Sequence, residues 1–540
     1  MVYSFTQACT QCGDCESQCP QQAIVFDQNQ NFWIDPTVCD GCGDQGTPYC
    51  LTICPVDSPV ILKPKKGRHK LSDRPTTSLE LFLNGKGHAF ASSMIVWEAC
   101  NVLTQQQSLT WQQGSDDGHF YYQRPVMRGQ GHLTFHLDAN IDFNSDRNSD
   151  RNSGRHLKPL SPSDLDPRAA CLNLICAAYA MSTSTPWQDA FVVNEQQLEY
   201  YLGLDKRKDL NKLAKLTLIK DLVQQACALS VEVLWPSQGH IDGFSIPKQP
   251  IWHLEDIDYH CHDDQEGCRH LTGLTFRIRP GLWTCYFLNP QGYQDRTAFY
   301  QYGQLPKSLL TEVMSIWQQH DGAIRLLIWL LFKARVGQRQ PLTVQTLMRI
   351  AYGEERLNLA CSGDKRERKK LLRLFEGDLE ALYHYGLKPV FDPVTYPDKL
   401  QPFWARVADL PDDADAALEF WLNDGDNSVR VTDAAPKGKW KHLIGARILQ
   451  FELPQDWEKQ SKPAKAQKSA RSIKLKLQTP TSLSGQLITN ARKKLNLSQR
   501  SLAAKVGKSQ SWIRDIERDR FQVDPQAQQA LCKVLGLSTV

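Results

Sequence analysis

Apolar residues recur along this 540-residue chain with changing rhythm. From about residue 80 to 305, helix-like and strand-like runs alternate. SSMIVWEACNVL (92–103) predicts an amphipathic helix, and HLTGLTFRIRPGLWTCYFL (270–288) predicts two strands around Pro280-Gly281. From about 306 to 454 the pattern turns strongly helical. SLLTEVMSIWQQ (308–319), AIRLLIWLLFKAR (323–335) and RKKLLRLFEGDLEALYHYGL (368–387) place apolar residues at i, i+3 and i+4. The last of these reaches Gly386, and KPVF (388–391) reads as a strand. The last segment, 484–540, predicts five short helices.

Linkers and charge divide this pattern further. PKKGRHKLSDRPTT within 61–79 reads as a linker, and NSDRNSDRNSGR (144–155) as a solvated low-complexity loop. Residues 455–483, rich in Lys, Ala, Gln and Ser with Pro463 and Pro480, read as a flexible basic tether. The expected divisions are therefore 1–64, 65–305, 306–454, 455–483 and 484–540, holding about three to four folded domains. Hydrophobic residues make up 41% and charged residues 23%, the balance of an ordinary globular protein. The longest strongly apolar run, LLIWLLF (326–332), is far too short for a bilayer span, so no membrane partner is expected. Residues 1–60 carry seven acids and no Lys or Arg, whereas 459–540 carry seventeen bases against four acids. One acidic and one basic end imply two different partners.

The acidic end holds the most specific chemistry. Its first run is Cys9-x2-Cys12-x2-Cys15-x3-Cys19-Pro20, and its second is Cys39-x2-Cys42-x7-Cys50-x3-Cys54-Pro55. That spacing is the bacterial [4Fe–4S] pattern, in which the fourth cysteine of each run ligates the other cluster. It predicts two [4Fe–4S] clusters, one on Cys9, Cys12, Cys15 and Cys54, the other on Cys39, Cys42, Cys50 and Cys19. Zinc normally uses two C-x2-C pairs across a longer gap, and disulfides need an oxidising compartment. With no signal peptide visible, a reducing cytoplasmic location is expected. Gly13 sits where the ligand loop leaves no room for a side chain. The seven-residue gap before Cys50 resembles an enlarged-loop ferredoxin variant. A segment so short and polar should draw most of its folding energy from cluster assembly. The other nine cysteines mostly lie in apolar patterns such as CLNLICAAYAM, as small buried hydrophobes do.

At the basic end the centre is LSQRSLAAKVGKSQSWIRDIERDR (497–520). Ser498 caps a helix running through Leu502, Ala503 and Val506, and Gly507 supplies the left-handed turn. Ser509 caps the next helix, whose buried face is Ile513 and Ile516. Two helices around a glycine turn make a helix-turn-helix whose second helix enters the major groove. The segment resembles the repressor-type (XRE/Cro) family. That resemblance places Gln499, Ser509, Gln510, Ser511, Arg514 and Asp515 at the DNA. Gln reads adenine and Arg reads guanine; Asp515 would contact cytosine or orient Arg514. A helix-turn-helix used only for packing is the other reading, and the basic charge weighs against it.

Weaker signals remain. LTVQTLMRIAY (342–352), then the basic KRERKK (365–370) opening a long helix, then a strand, resembles a winged-helix order. A solvated helix end in an ordinary helical domain is the alternative. His260, Cys261, His262, Cys268 and His270 fit no standard zinc spacing and read as a hairpin tip. No phosphate loop, nucleophile elbow or HExxH is found, and no enzyme activity is expected.

The fold class is thus multidomain: an α+β bacterial ferredoxin-like N-terminus, a mixed α/β to helical middle region, and an all-α helix-turn-helix C-terminus. This order resembles the cyanobacterial CnfR/PatB family of transcriptional activators, through the eight cysteines and the 497–520 motif. The resemblance implies activation of nitrogen-fixation (nif) genes under low oxygen. The partners it implies are promoter DNA, bound as a homodimer or on paired sites, and RNA polymerase. Two other classes stay open: an iron–sulfur electron-transfer protein or redox enzyme subunit, and a replication or plasmid-maintenance protein.

Overall fold

The computed structural model describes residues 2–26, 31–42, 47–62, 76–78, 80–82, 87–105, 109–114, 119–138, 160–265, 267–336, 340–408, 410, 413–426, 438–457, 485–495, 497–517, 520 and 525–535. They fall in two compact units, 1–459 and 460–540. The loop read at 144–155, most of the linker read at 61–79 and nearly all of the tether read at 455–483 lie outside the described residues.

The first unit begins with β1 (Tyr3–Phe5), β2 (Ile24–Phe26), β3 (Phe32–Ile34), α1 (Tyr49–Ile53) and β4 (Pro59–Ile61). Strand β1 pairs antiparallel with β4, and β2 with β3. Their shared core is small: Tyr3, Phe5, Cys15, Ala23, Ile24 and Ile34.

The middle part follows as β5 (Gly87–Ala91), α2 (Met94–Thr104), β6 (Gln112–Gln113), β7 (Phe120–Val126), β8 (Gly131–Leu137), α3 (Ala169–Ala180), β9 (Phe191–Asn194), α4 (Glu195–Tyr201) and α5 (Lys212–Cys227). Then come β10 (Leu229–Trp235), β11 (Phe244–Pro250), β12 (Trp252–Asp263), β13 (Arg269–Pro280), α6 (Trp283–Phe287), α7 (Pro290–Gln294), β14 (Tyr302–Pro306) and α8 (Lys307–Ile316). The strands form an antiparallel sheet β11-β10-β8-β7-β6, a sheet β12-β13-β9 and the pair β14-β5. Helix α2 is not amphipathic as its pattern predicted: nine of its eleven residues are buried, because α3 packs on it and Asn173 donates across to the Val96 carbonyl. Helix α3 is buried along its whole length.

The strand expected after Pro280-Gly281 is instead the short helix α6. The Gly281 N–H and the Trp283 indole N–H both bond the Ile251 carbonyl, and the Trp283 ring meets Trp252 edge-on. Burial of one large ring thus overrides a β-prone local sequence.

The helical part is α9 (Asp321–Val336), β15 (Leu342–Thr343), α10 (Val344–Tyr352), α11 (Glu354–Ser362), α12 (Lys365–Tyr385), β16 (Lys388–Phe391), α13 (Phe403–Arg406), α14 (Ala414–Asp426), α15 (Lys439–Leu443) and β17 (Arg447–Glu452). Helices α9, α10 and α12 pack together, and the strands form an antiparallel sheet β15-β17-β16. Asp364 caps α12 by accepting from the Arg366 and Glu367 N–H groups; Gly386, at φ 105°, ends it. One continuous core, from Val25 to Trp457, runs across the divisions expected near 65 and 306.

The second unit contains α16 (Gly485–Lys494), α17 (Gln499–Val506), α18 (Gln510–Glu517) and α19 (Pro525–Leu535). That is four helices among the described residues, where five were expected. Their core is Ile488, Leu502, Ala503, Ile513, Ile516, Leu531 and Leu535. Each fully buried Leu or Ile here contributes roughly 1.5–3 kcal/mol.

Candidate metal centre and nucleic-acid interface

Backbone conformation brings the eight cysteines into two groups. In the first run, Gln11 (φ 57°) and Gly13 (φ 82°) are left-handed; in the second, Gly41 (φ 74°) and Cys42 (φ 51°) are. These turns aim successive thiols inward. A side chain at Gly13 would lie 3.0 Å from the Phe32 ring, which would have to shift, and the left-handed conformation itself favours glycine there. After each run the pattern repeats: the Ala23 N–H donates to Cys19 Sγ at 3.3 Å, and the Ser58 N–H to Cys54 Sγ at 3.4 Å.

Two cavities result. One is lined by Cys9, Cys12, Cys15 and Cys54 with Phe5, Phe32 and Ile53. The other is lined by Cys19, Cys39, Cys42 and Cys50 with Tyr3, Ile24 and Ile34. Four thiols on an otherwise apolar wall, with backbone N–H groups on two sulfurs, fit an iron–sulfur cluster. Burial pushes the Cys15 thiol up to about 12 and the Cys50 thiol up to about 11. These thiols are therefore neutral near pH 7 unless a bound cation draws off the protons.

The cysteine-bearing segment is held to the rest of its unit by a buried charge. Lys220, on α5, donates to Asp35 Oδ2 at 2.8 Å and to Thr37 Oγ1 at 2.9 Å. Both side chains are nearly inaccessible, at 7% and 1% exposed. Tyr259, on β12, places its ring 5.3 Å from the ammonium and meets Trp33 edge-on at 5.6 Å. The Asp35 carbonyl accepts from the Cys39 N–H at 3.0 Å, so the anion lies one turn from a cavity-lining thiol. Sequence reading missed Asp35, Lys220 and Tyr259; no local pattern links residues 185 positions apart.

Elsewhere the cysteine-rich hairpin tip does not gather into a site. The His260 ring bonds Thr275 Oγ1 and the His270 ring bonds Asp264 Oδ2, both at 2.7 Å, on separate sides of the β12-β13 hairpin. Cys268 is buried, whereas Cys261 and His262 are exposed. Among the described residues no three or more His, Cys, Asp or Glu side chains converge closely enough to hold a single metal ion, the eight cysteines included, whose thiols surround a wider space. Of the nine other cysteines, Cys100, Cys171, Cys176, Cys227, Cys268 and Cys532 are buried.

In the second unit, Ser498 accepts from the Ser501 N–H and Ser509 from the Trp512 N–H, at 3.0 and 3.1 Å. Gly507 sits between at φ 67°. Gly507→Ala is expected to destabilise this unit by about 1–2 kcal/mol, read as a lower thermal midpoint, since Cβ disfavours that conformation. Gln510, Ser511 and Arg514 are exposed within one sector of α18, and Ser509 is exposed at its N-cap. Asp515 is half-buried and paired with Arg520 at 3.0 Å. Gln499 is turned inward: its amide donates to Glu517 Oε2 at 2.7 Å. Glu517 is also bonded by the Arg492 guanidinium, which ties α16 to α18. Burial opposes charge on Glu517, yet bonds from Arg492 and Gln499 hold its carboxyl below the ordinary 4.5. A depressed carboxyl stabilises fully above its unfolded value, so this tie should weaken only as the pH falls below about 4.5. Arg492→Ala should remove that acid sensitivity from the melting curve of the unit.

Comparison with known proteins covers only the two ends. The 4Fe-4S dicluster domain family matches residues 8–58, and the helix-turn-helix family matches 488–540. A ferredoxin-like protein in the vnf region of Azotobacter vinelandii is 49% identical over 49 residues, 9% of this chain and 74% of the relative. A ferredoxin-like protein in the nif region of Rhizobium leguminosarum bv. trifolii is 41% identical over 54 residues, 10% of this chain and 83% of the relative. A nif-region ferredoxin-like protein of Nostoc sp. is 39% identical over 57 residues, 10% of this chain and 49% of the relative. No solved structure matches. Among the described residues, no helix is long and apolar enough to cross a membrane.

Proposed function

From a chain that belongs, through its N-terminal segment, to the dicluster ferredoxin-like proteins and carries a helix-turn-helix domain at its other end, we infer an iron–sulfur transcriptional regulator. The observation that carries this is the pairing of two four-cysteine cavities with an exposed, polar α18 face on one polypeptide. In this reading Cys9, Cys12, Cys15 and Cys54 hold one [4Fe–4S] cluster, and Cys39, Cys42, Cys50 and Cys19 the other. When bound, such clusters supply redox-active, oxygen-labile charge and much of the folding energy of so small a segment. Gln510, Ser511 and Arg514 read promoter DNA, with Ser509 and the half-buried Asp515 framing the helix. Gln499 serves by holding Glu517 rather than by reaching a base.

Activation of nitrogen-fixation genes under low oxygen is the most specific form of the proposal. It is supported by the domain order and by the nif- and vnf-region names of the relatives. The protein acts in the cytoplasm, as a homodimer or on paired half-sites, with RNA polymerase as its further partner and no catalytic role. Asp35 and Thr37 give the cysteine segment a route to the rest of its unit. Disorder in the Cys39 loop would withdraw both from Lys220 and leave a buried ammonium unpaired.

The test is anaerobic footprinting on promoter fragments before and after brief air exposure, with cluster absorbance followed in the same samples. Protection lost as the clusters bleach supports cluster-gated DNA binding. Protection that survives bleaching places the clusters after DNA binding. No protection in either state overturns the regulator reading in favour of electron transfer. Arg514→Ala should cost about 1–3 kcal/mol of specific binding and relax selectivity at one base position, measured by competition between operator variants.

A further inference from the structure

We propose that α12 presents a second duplex-DNA contact surface, carried by a winged-helix arrangement of residues 321–452, separate from the helix-turn-helix. The chain order is α9-β15-α10-α11-α12-β16, with β17 following only after α13, α14 and α15; with sheet order β15-β17-β16, a three-helix core stands ahead of a strand pair whose two strands are joined by a long helical insertion. In that order α12 is the helix immediately before the pair, where a recognition helix stands. Helix α11 is an addition between the second and third core helices.

The charges on α12 are sorted by face. Leu371, Phe375, Leu379 and Leu382 are buried, and at about 100° per residue they lie within one narrow sector. Lys365, Arg366, Lys369, Lys370 and Arg373 are exposed and fall in a sector centred roughly 160–200° away. None of these five is in an ion pair with a described residue. Their neighbours on the flank are engaged: Glu367 is paired with Arg356 at 2.9 Å, and Arg368 donates to the Ala360 and Cys361 carbonyls. The C-terminal half of α12 is covered, since the Trp404 indole donates to the Glu376 carbonyl and Lys439 bonds the Glu376 carboxylate at 2.5 Å. What is left open is the cationic first half, about 12 Å long at 1.5 Å per residue.

Charge complementarity selects a polyanion, and shape selects B-form DNA. A rigid helix of this width enters the major groove of B-DNA, about 12 Å wide, but not the deep, narrow major groove of A-form RNA. Lysine and arginine on the leading turns would contact phosphates on both sides.

The experiment uses the full-length protein, purified anaerobically, with a random-sequence DNA duplex of about 40 bp and an RNA duplex of equal length. Affinity is measured against salt for wild type, for Lys369→Ala/Lys370→Ala/Arg373→Ala, for Gln510→Ala/Arg514→Ala, and for the combined variant. A parallel set with glutamine at 369, 370 and 373 guards against loss of folding, as do matched melting curves. Each lost phosphate contact removes about 0.9 from the slope of log affinity against log salt, so the triple variant is expected to lose about 2–3. The same loss should appear in the Gln510→Ala/Arg514→Ala background. An unchanged slope in both backgrounds overturns the proposal. A loss seen only with RNA overturns the choice of DNA. If Gln510→Ala/Arg514→Ala changes nothing, either on this duplex or in competition between operator variants, while the triple variant still responds, the helix-turn-helix reading fails and the α12 surface stands.

Discussion

Cys15→Ser is expected to strip iron from the cavity that Cys15 lines and to abolish transcriptional activation in cells, while residues 460–540 keep their affinity for duplex DNA. Cys15 is the most buried of the eight thiols, 8% exposed, and belongs both to a cavity wall and to the six-residue core of its segment. Serine oxygen is a hard ligand and a poor substitute for a soft thiolate on iron. Without the metal, that core is too small to offset the entropy of ordering the chain around it. The second unit has its own apolar core and should be untouched. Iron content, cluster absorbance and reporter activity check the first claim; duplex binding by 460–540 checks the second. Full oxygen-dependent activation by Cys15→Ser would sink the sensor reading.

Lys220→Ala should destabilise the first unit by about 3–5 kcal/mol, the usual effect of removing one partner of a buried ion pair. It leaves Asp35 sealed at 1% side-chain exposure with its countercharge gone. Lys220→Met combined with Asp35→Leu should cost much less, because two apolar side chains replace both desolvated charges. Burial disfavours the ammonium, but Asp35 and Tyr259 more than offset this, and Lys220 titrates above its ordinary 10.5. A raised lysine contributes its stability fully below the unfolded value and loses it only as the pH rises through the native one. The effect of Lys220→Ala should therefore be constant from about pH 7 to about pH 9. Anaerobic denaturant unfolding of wild type, Lys220→Met, Asp35→Leu and the double variant gives the cycle. Near-additive costs would mean the pair does not couple the cysteine segment to α5.

The comparison of sequence with structure separates along the range of the interactions. Cysteine spacing groups Cys54 with the first run and Cys19 with the second, and the two cavities have those same members. The caps at Ser498 and Ser509, the turn at Gly507 and the inward face of Ile513 and Ile516 were legible as well. The caps, the turn and the helix face are interactions within about ten residues, where bond geometry and helical period leave few alternatives, whereas Cys54 and Cys19 join the other run through the dicluster spacing pattern. Gln499 was placed at the DNA by its position in the motif, but its amide is taken up by Glu517. Which polar atom a side chain bonds depends on neighbours the motif does not specify.

Longer range was decided by the tertiary structure alone. Trp283 is wound into a helix by a carbonyl 32 residues earlier, against the β preference of its own run. Asp35 meets Lys220 across 185 residues, and Lys365, Arg366, Lys369, Lys370 and Arg373 of α12 are left exposed because distant segments cover the helix only farther on. The sequence by itself determined the two cysteine groups, the terminal domains and the charge asymmetry, since these follow from spacing, motif or simple addition. Only the fold decided which charges are buried together and which remain open to a partner, because desolvation depends on everything packed around a group.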